Sequence, residues 1–201
     1  MSGDDRPDVR IRNTRILSQH WSRLSLVDFD LKRRDGGWQS ISWEVNDHGD
    51  GIAVLPFDPA RRTVLLVRQF RLPAYLNGHK ERLWEACAGL IDPGETPADC
   101  ARREALEETG YAITDLEPIG AVFSSPGTLT ERMHLFLARY APGGRAQDGV
   151  VVDHESEDIE TVEVPLDRLA RMADDGSILD AKTLVIVQAL RRRKPELFSS
   201  V

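Results

Sequence analysis

A chain of 201 residues, 41% hydrophobic and 29% charged, has the material for one globular domain with its own core and no need of covalent staples. Its formal charge of −7 argues against a general nucleic-acid-binding surface, which would be basic. It leaves room for a phosphorylated substrate, because bound cations reverse a local field. Two cysteines, Cys87 and Cys100, and five scattered histidines offer no zinc spacing, so the thiols are expected reduced. The start MSGDDRPDVR lacks the basic-then-apolar form of a signal peptide, and no apolar run is long enough to span a bilayer. A cytoplasmic location is expected.

Two strand-like runs come first: RLSLVDFDLK from Arg23, with alternating apolar positions, and WQSISWEVN from Trp38. Asp35-Gly36-Gly37 between them reads as a hairpin turn. GIAVLPFD and TVLLVRQFR form a second expected pair across the turn DPARR, and RLWEACAGLI is read as one further strand. A helix then starts at Thr96, a good N-cap followed by Pro97, with Asp99 three residues after the cap. It stops at Gly110, a C-terminal glycine. Strands follow at LEPIGAVF and RMHLFLARY, separated by SSPGTLTE. A Gly-rich loop leads to the acidic run DHESEDIE, the strand TVEVP, and two helices, PLDRLARMADDG and DAKTLVIVQALRRRK. There is no internal repeat. The pattern reads as an α/β layered fold rather than a barrel or a bundle.

The helix after Thr96 carries Glu104, Glu107 and Glu108. Positions four apart share a helix face, so Glu104 and Glu108 project together, with Glu107 one step round. Read alone, these acids are a solvated face offset by Arg102 and Arg103. Two like charges near 4 Å repel by roughly 4 kcal/mol at an effective dielectric of about 20, so a crowd of carboxylates favours a bound cation. Hard carboxylate oxygens suit Mg2+ or Mn2+ rather than zinc.

The spacing from Gly89 through Glu95 to Arg103-Glu104-Ala105-Leu106-Glu107-Glu108-Thr109-Gly110-Tyr111 matches the Nudix box at every defined position. The chain therefore resembles the Nudix hydrolases, which cleave nucleoside diphosphates linked to another group with a divalent metal and water. The resemblance implies an α/β/α sandwich with a mixed sheet, covering 48–201. It also implies an N-terminal antiparallel β subdomain over 1–47, exchanged between subunits of a homodimer. Glu104 and Glu108 are then metal ligands, joined by the carbonyl of Ala88. Glu107 binds metal or holds a metal-bound water, and Arg103 and Glu95 orient the helix carboxylates, with Gly89 and Gly110 as structural glycines of the box. In the acidic run, the resemblance makes Glu155 the base that activates water and Glu157 a further ligand. Without the box, that run reads as a solvated loop.

The resemblance is closest to the nucleoside diphosphate sugar group, and within it to bacterial GDP-mannose pyrophosphatases. VLLVRQFRLPAYLNG, LWEACAGLID, SPG-x-x-TE, the EDIE run and D-x-KT at Asp180–Thr183 carry it. It implies GDP-mannose cleaved to GMP and mannose 1-phosphate with Mg2+, the alternative being ADP-ribose cleaved to AMP and ribose 5-phosphate. Arg68, Pro126, Gly89 and Lys182 become candidate substrate contacts. Arg68 reads equally as a strand ion-pair partner, and Lys182 as an exposed helix residue. These relatives carry a Lys-Arg-Glu triplet where this chain has Ser42-Trp43-Glu44, so Glu44 remains a candidate substrate contact while Trp43 would act differently, by stacking on a base, and Trp21 sits where an aromatic from the partner subunit is expected. Both tryptophans also read as core or interface packing. A non-catalytic sensor on the same scaffold is the rival from another class. Every box acid is kept and no DNA-binding region is evident, which favours the enzyme. No nucleic-acid or membrane partner is expected.

Overall fold

The computed structural model describes residues 8–144 and 158–199, which fall into two compact units. One is the chain up to Gly49 together with Ser125–Glu131. The other is Asp50–Ser124 together with the chain from Arg132 onward.

The first unit is a three-stranded antiparallel sheet in the order β1 (Val9–Gln19), β2 (Arg23–Lys32), β3 (Trp38–Asp47). The hairpin expected at Asp35-Gly36-Gly37 forms: β2 and β3 pair through ten rungs, from Arg23↔Asp47 to Lys32↔Trp38, and Gly36 takes a φ of 85° that suits glycine. The sequence does not predict β1. Register shifts between Ile11 and Asn13 and between Ile16 and Ser18 break its alternation, so no period-two signal survives. The segment Ser125–Glu131 is tied to β3 from both sides of Asn46, whose N–H donates to Thr128 O at 2.8 Å and whose carbonyl accepts from Thr130 N–H at 3.1 Å.

The second unit is built on a mixed sheet of seven strands. Its path is β10 (Glu160–Pro165), β5 (Thr63–Gln69), β4 (Gly51–Asp58), β9 (Arg132–Arg139), β8 (Thr114–Phe123), with β6 (Leu83–Glu85) on β5 and β7 (Cys87–Leu90) on β4. Among the described residues of this sheet, only the β4–β9 pair is parallel. Strand alternation sends side chains to opposite faces. Ala53, Leu55 and Phe57 of β4 join Leu135 and Leu137 of β9 in one core, packed with α3 (Leu166–Asp174) and α4 (Ala181–Arg193). Ile52 and Val54 point the other way, to a second core with Cys100, Ala101 and Ala105 of α2 (Pro97–Thr109). The small side chains of α2 let that helix approach the sheet closely. These layers are the expected α/β/α sandwich.

Three details differ from the sequence reading. β4 and β5 pair only at Phe57↔Val64 and Asp58↔Thr63, next to their turn, because beyond it β4 takes β7 and β5 takes β6 as partner. The stretch RLWEACAGLI is not one strand. It breaks at Ala86, whose N–H donates to Thr183 Oγ1 of α4 at 2.7 Å instead of entering a ladder. A short helix, α1 (Leu72–Leu76), follows β5 and is not signalled by the sequence.

Candidate active site

The site grows from the start of α2. Thr96 caps the helix as expected, its Oγ1 accepting from Asp99 N–H at 3.2 Å, and Gly110 ends it in the left-handed region at φ 73°. Before the helix, Glu95 Oε2 accepts from the N–H of Asp92 at 3.1 Å and closes the loop. The same carboxylate takes two bonds from Arg103, from Nε at 3.0 Å and from Nη2 at 2.9 Å. The Arg103 guanidinium and the loop amide hold the Glu95 carboxyl down to about 2. Glu95 is thus the anchor of an arginine rather than a loose loop charge.

Arg103 also reaches outward. Its Nη1 donates to Glu104 Oε1 at 2.7 Å and to Glu107 Oε2 at 3.1 Å, and its Nη2 to the carbonyl of Leu90 at 3.2 Å. One guanidinium therefore bonds two of the box glutamates and the carbonyl of Leu90 at the end of β7.

Gly89 stands opposite Glu104. A methyl group built on its α-carbon would lie 1.9 Å from Glu104 Oε1, so only glycine leaves this carboxylate its place. Glu108, one turn on, lies under β7, with its Oε2 accepting from Ala88 N–H at 3.2 Å. Burial, and then the charge of Glu104, pushes the Glu108 carboxyl up to about 8, with Glu85 adding to the push and Arg71 opposing it. Glu104 and Glu108 thus lie near enough for their charges to repel, and Gly89 opposite the one and Ala88 over the other belong to the same strand. This donor set fits a hard divalent cation. Among the described residues, no three His, Cys, Asp or Glu side chains form a ready metal group by themselves. Glu155 and Glu157, the expected base and further ligand, lie outside the described residues.

The remaining candidates separate. Trp21, Trp43, Glu44 and Pro126 all belong to the first unit. Trp21 is 75% exposed and stacked on His48 with ring centroids 4.9 Å apart. Trp43 is half-exposed on β3 against Phe29, at 6.2 Å, and Glu44 and Pro126 are exposed. Neither tryptophan is core. Arg68 sits on β5 with its guanidinium 4.8 Å over the Trp84 ring and 3.2 Å from Glu160. Lys182 is not an exposed helix residue: its Nζ lies 2.6 Å from Glu85 and 2.8 Å from Asp180.

Sequence reasoning missed one arginine. Arg71, three residues after Arg68, grips Glu85 with Nε at 2.8 Å and Nη2 at 3.1 Å, and its charge is felt at Glu108. The signal was present in VRQFR and EACAGL, but the bond joins residues 14 positions apart, Arg71 at the start of α1 and Glu85 at the end of β6.

The NUDIX domain model matches residues 47–184 of the chain, and the model of the GDP-mannose pyrophosphatase NudK N-terminal domain matches 8–45. The chain is similar to a protein of Pectobacterium atrosepticum named GDP-mannose pyrophosphatase, 44% identical over 90% of this chain and 92% of that protein. A protein of the same name from Cronobacter sakazakii is 40% identical over 92% and 96%. In fold it is similar to a crystal structure of an ADP compounds hydrolase, with a TM-score of 0.72 and 18% identity, covering 94% of this chain and 95% of that one.

Proposed function

The chain belongs to the Nudix hydrolase family, and from that premise we propose that it cleaves GDP-mannose to GMP and mannose 1-phosphate, using Mg2+. One observation carries the substrate choice. The match to the N-terminal domain of GDP-mannose pyrophosphatases over residues 8–45 lies outside the box, which defines chemistry and not substrate.

Glu104, Glu108 and the Ala88 carbonyl are assigned to hold Mg2+, with Glu107 and Glu157 completing the set. A bound divalent ion supplies neutralisation of the charge that develops on the diphosphate oxygens. The chain's own residues do the rest. Arg103, held by Glu95, fixes the carboxylates of Glu104 and Glu107 before substrate arrives, so no reorientation is needed at the moment of reaction. Glu155 is assigned as the general base that takes the proton of the attacking water. Arg68, held by Glu160 and Trp84, and Arg71, held by Glu85 three residues on, are assigned to the substrate phosphate. Trp21, Trp43 and Glu44 are assigned to the nucleotide, contributed by a second copy of the chain in a homodimer.

The direct test incubates the protein with GDP-mannose and Mg2+ and separates the products by ion-exchange chromatography. GMP and mannose 1-phosphate in equal amounts are expected. Release of GDP and free mannose, or no turnover, would overturn the reading.

A further inference from the structure

Gln69 ends β5 with an amide that the fold does not use. The residue is 4% exposed, and its Nε2 is buried without a hydrogen-bond partner among the described residues. Buried polar groups almost always find partners, because an unmade bond leaves the desolvation of the donor uncompensated. A leucine or methionine would fill a similar volume without that penalty. The donor is therefore kept for an acceptor that comes from outside the fold.

The strand sets where the amide points. Val67 lies in the core formed with Cys100, Ala101 and Ala105 of α2, and Gln69, two residues on, faces the same side of the sheet. Residues directly opposite on paired strands share a face as well. On one side Val67 stands opposite Glu85 of β6, the carboxylate gripped by Arg71. On the other it stands opposite Thr161 of β10, whose Oγ1 donates to the backbone carbonyl of Glu108 at 2.6 Å. The last turn of α2, which carries Glu108, thus lies over this rung. Gln69 follows at the end of the strand, on the same face and two residues before Arg71. Its amide is held in place by the sheet, between the end of α2 and the Arg71–Glu85 pair.

A neutral donor suits this position. A carboxylate of the same shape would add to the crowding of Glu85, Glu104 and Glu108, whereas an amide offers N–H without charge. Among acceptors that a substrate can bring, a charged phosphate oxygen makes the strongest bond to such a donor. We propose that Gln69 is a substrate-binding residue whose Nε2 donates to an oxygen of the diphosphate, alongside Arg71. This rests on the nucleotide-sugar reading of the site. The amide lowers the stability of the unliganded fold and raises its affinity for substrate, a division of roles common at functional sites.

Gln69→Leu separates the two roles. KM and kcat for GDP-mannose with Mg2+, the inhibition constant of GDP, and Tm without ligand are measured for the wild type and the variant. KM is expected to rise about tenfold, the scale of one lost hydrogen bond to a charged group, with a smaller change in kcat. The inhibition constant of GDP, which has the diphosphate and no sugar, should rise by a similar factor. Tm should stay at the wild-type value or above it. An unchanged KM, or an unchanged inhibition constant of GDP, would overturn the proposal. So would a clear fall in Tm, which would give the amide a structural partner such as a buried water. Where the branched side chain prevents folding, Gln69→Met, unbranched and close in length, supplies the same readings. A wild type inactive on nucleotide sugars would refute the reading of the site and this inference with it. An active wild type matched by Gln69→Leu would refute this inference alone.

Discussion

The carboxylate of Glu104 rests on the α-carbon of Gly89, at a distance where a single methyl group would displace it. The clash falls on the far end of a flexible side chain and not on backbone, so the fold has an easy way out and the site does not. Gly89→Ala is expected to change stability by less than about 1 kcal/mol. It should lower kcat/KM on the order of 100-fold, the scale of a ~1 Å misplacement of a site group. Thermal melting and steady-state kinetics on the same preparation check both. Full activity would mean that Glu104 does not need this position.

Glu108 makes the metal-free protein sensitive to pH. Its carboxyl is pushed to about 8 in the folded chain from an ordinary 4.5, so folding favours the protonated form. That contribution is present below about pH 4.5 and is lost as pH rises through about 8. In EDTA, Tm is expected to fall between about pH 5 and pH 8, and Glu108→Gln, which keeps a neutral side chain at every pH, should flatten the curve. Mg2+ should raise Tm most at the alkaline end, where the carboxylate is ionised and ready to bind it. A flat profile in EDTA, identical to that of Glu108→Gln, would contradict this account of the carboxylate pair.

Thr183 joins α4 to the break between β6 and β7. Ala86 is fully buried, and the threonine hydroxyl takes its N–H. Thr183→Val keeps the shape and removes the acceptor, leaving a buried donor unsatisfied at a loss of about 1–3 kcal/mol in urea unfolding. Thr183→Ser, which retains the hydroxyl, should lose clearly less. A Thr183→Val variant as stable as the wild type, with the loss confined to Thr183→Ser, would show that the methyl group and not the hydrogen bond matters.

What could be read from the sequence was local. The Thr96 cap, Pro97 and Gly110 bound α2 within the span of the helix itself, and the shared face of Glu104 and Glu108 follows from their spacing. The hairpin at Gly36 was legible for the same reason. What could not be read depended on distant partners. The break at Ala86 is dictated by Thr183, 97 residues away, and nothing within RLWEACAGLI announces it. β1 escaped because two bulges erase its alternation. Arg71 went unnoticed beside Arg68 because its partner is set by the fold and not by the strand. Arg68 remains in β5 beside Glu160, while Arg71 has left it and turns to Glu85. Lys182 could be read as a functional lysine, but its true neighbours, Glu85 and Asp180, appear only once α4 is laid on the sheet.

The central claim is the substrate, and Trp43 is the residue that puts it at risk, standing where the GDP-mannose pyrophosphatases it resembles carry an arginine. The most direct measurement is kcat/KM for GDP-mannose and ADP-ribose side by side, with Mg2+, on the wild-type protein. A clear preference for GDP-mannose is expected, with Trp43 tolerated at a guanine site. A clear preference for ADP-ribose would leave the chemistry of Glu104 and Glu108 in place and contradict the assignment of substrate.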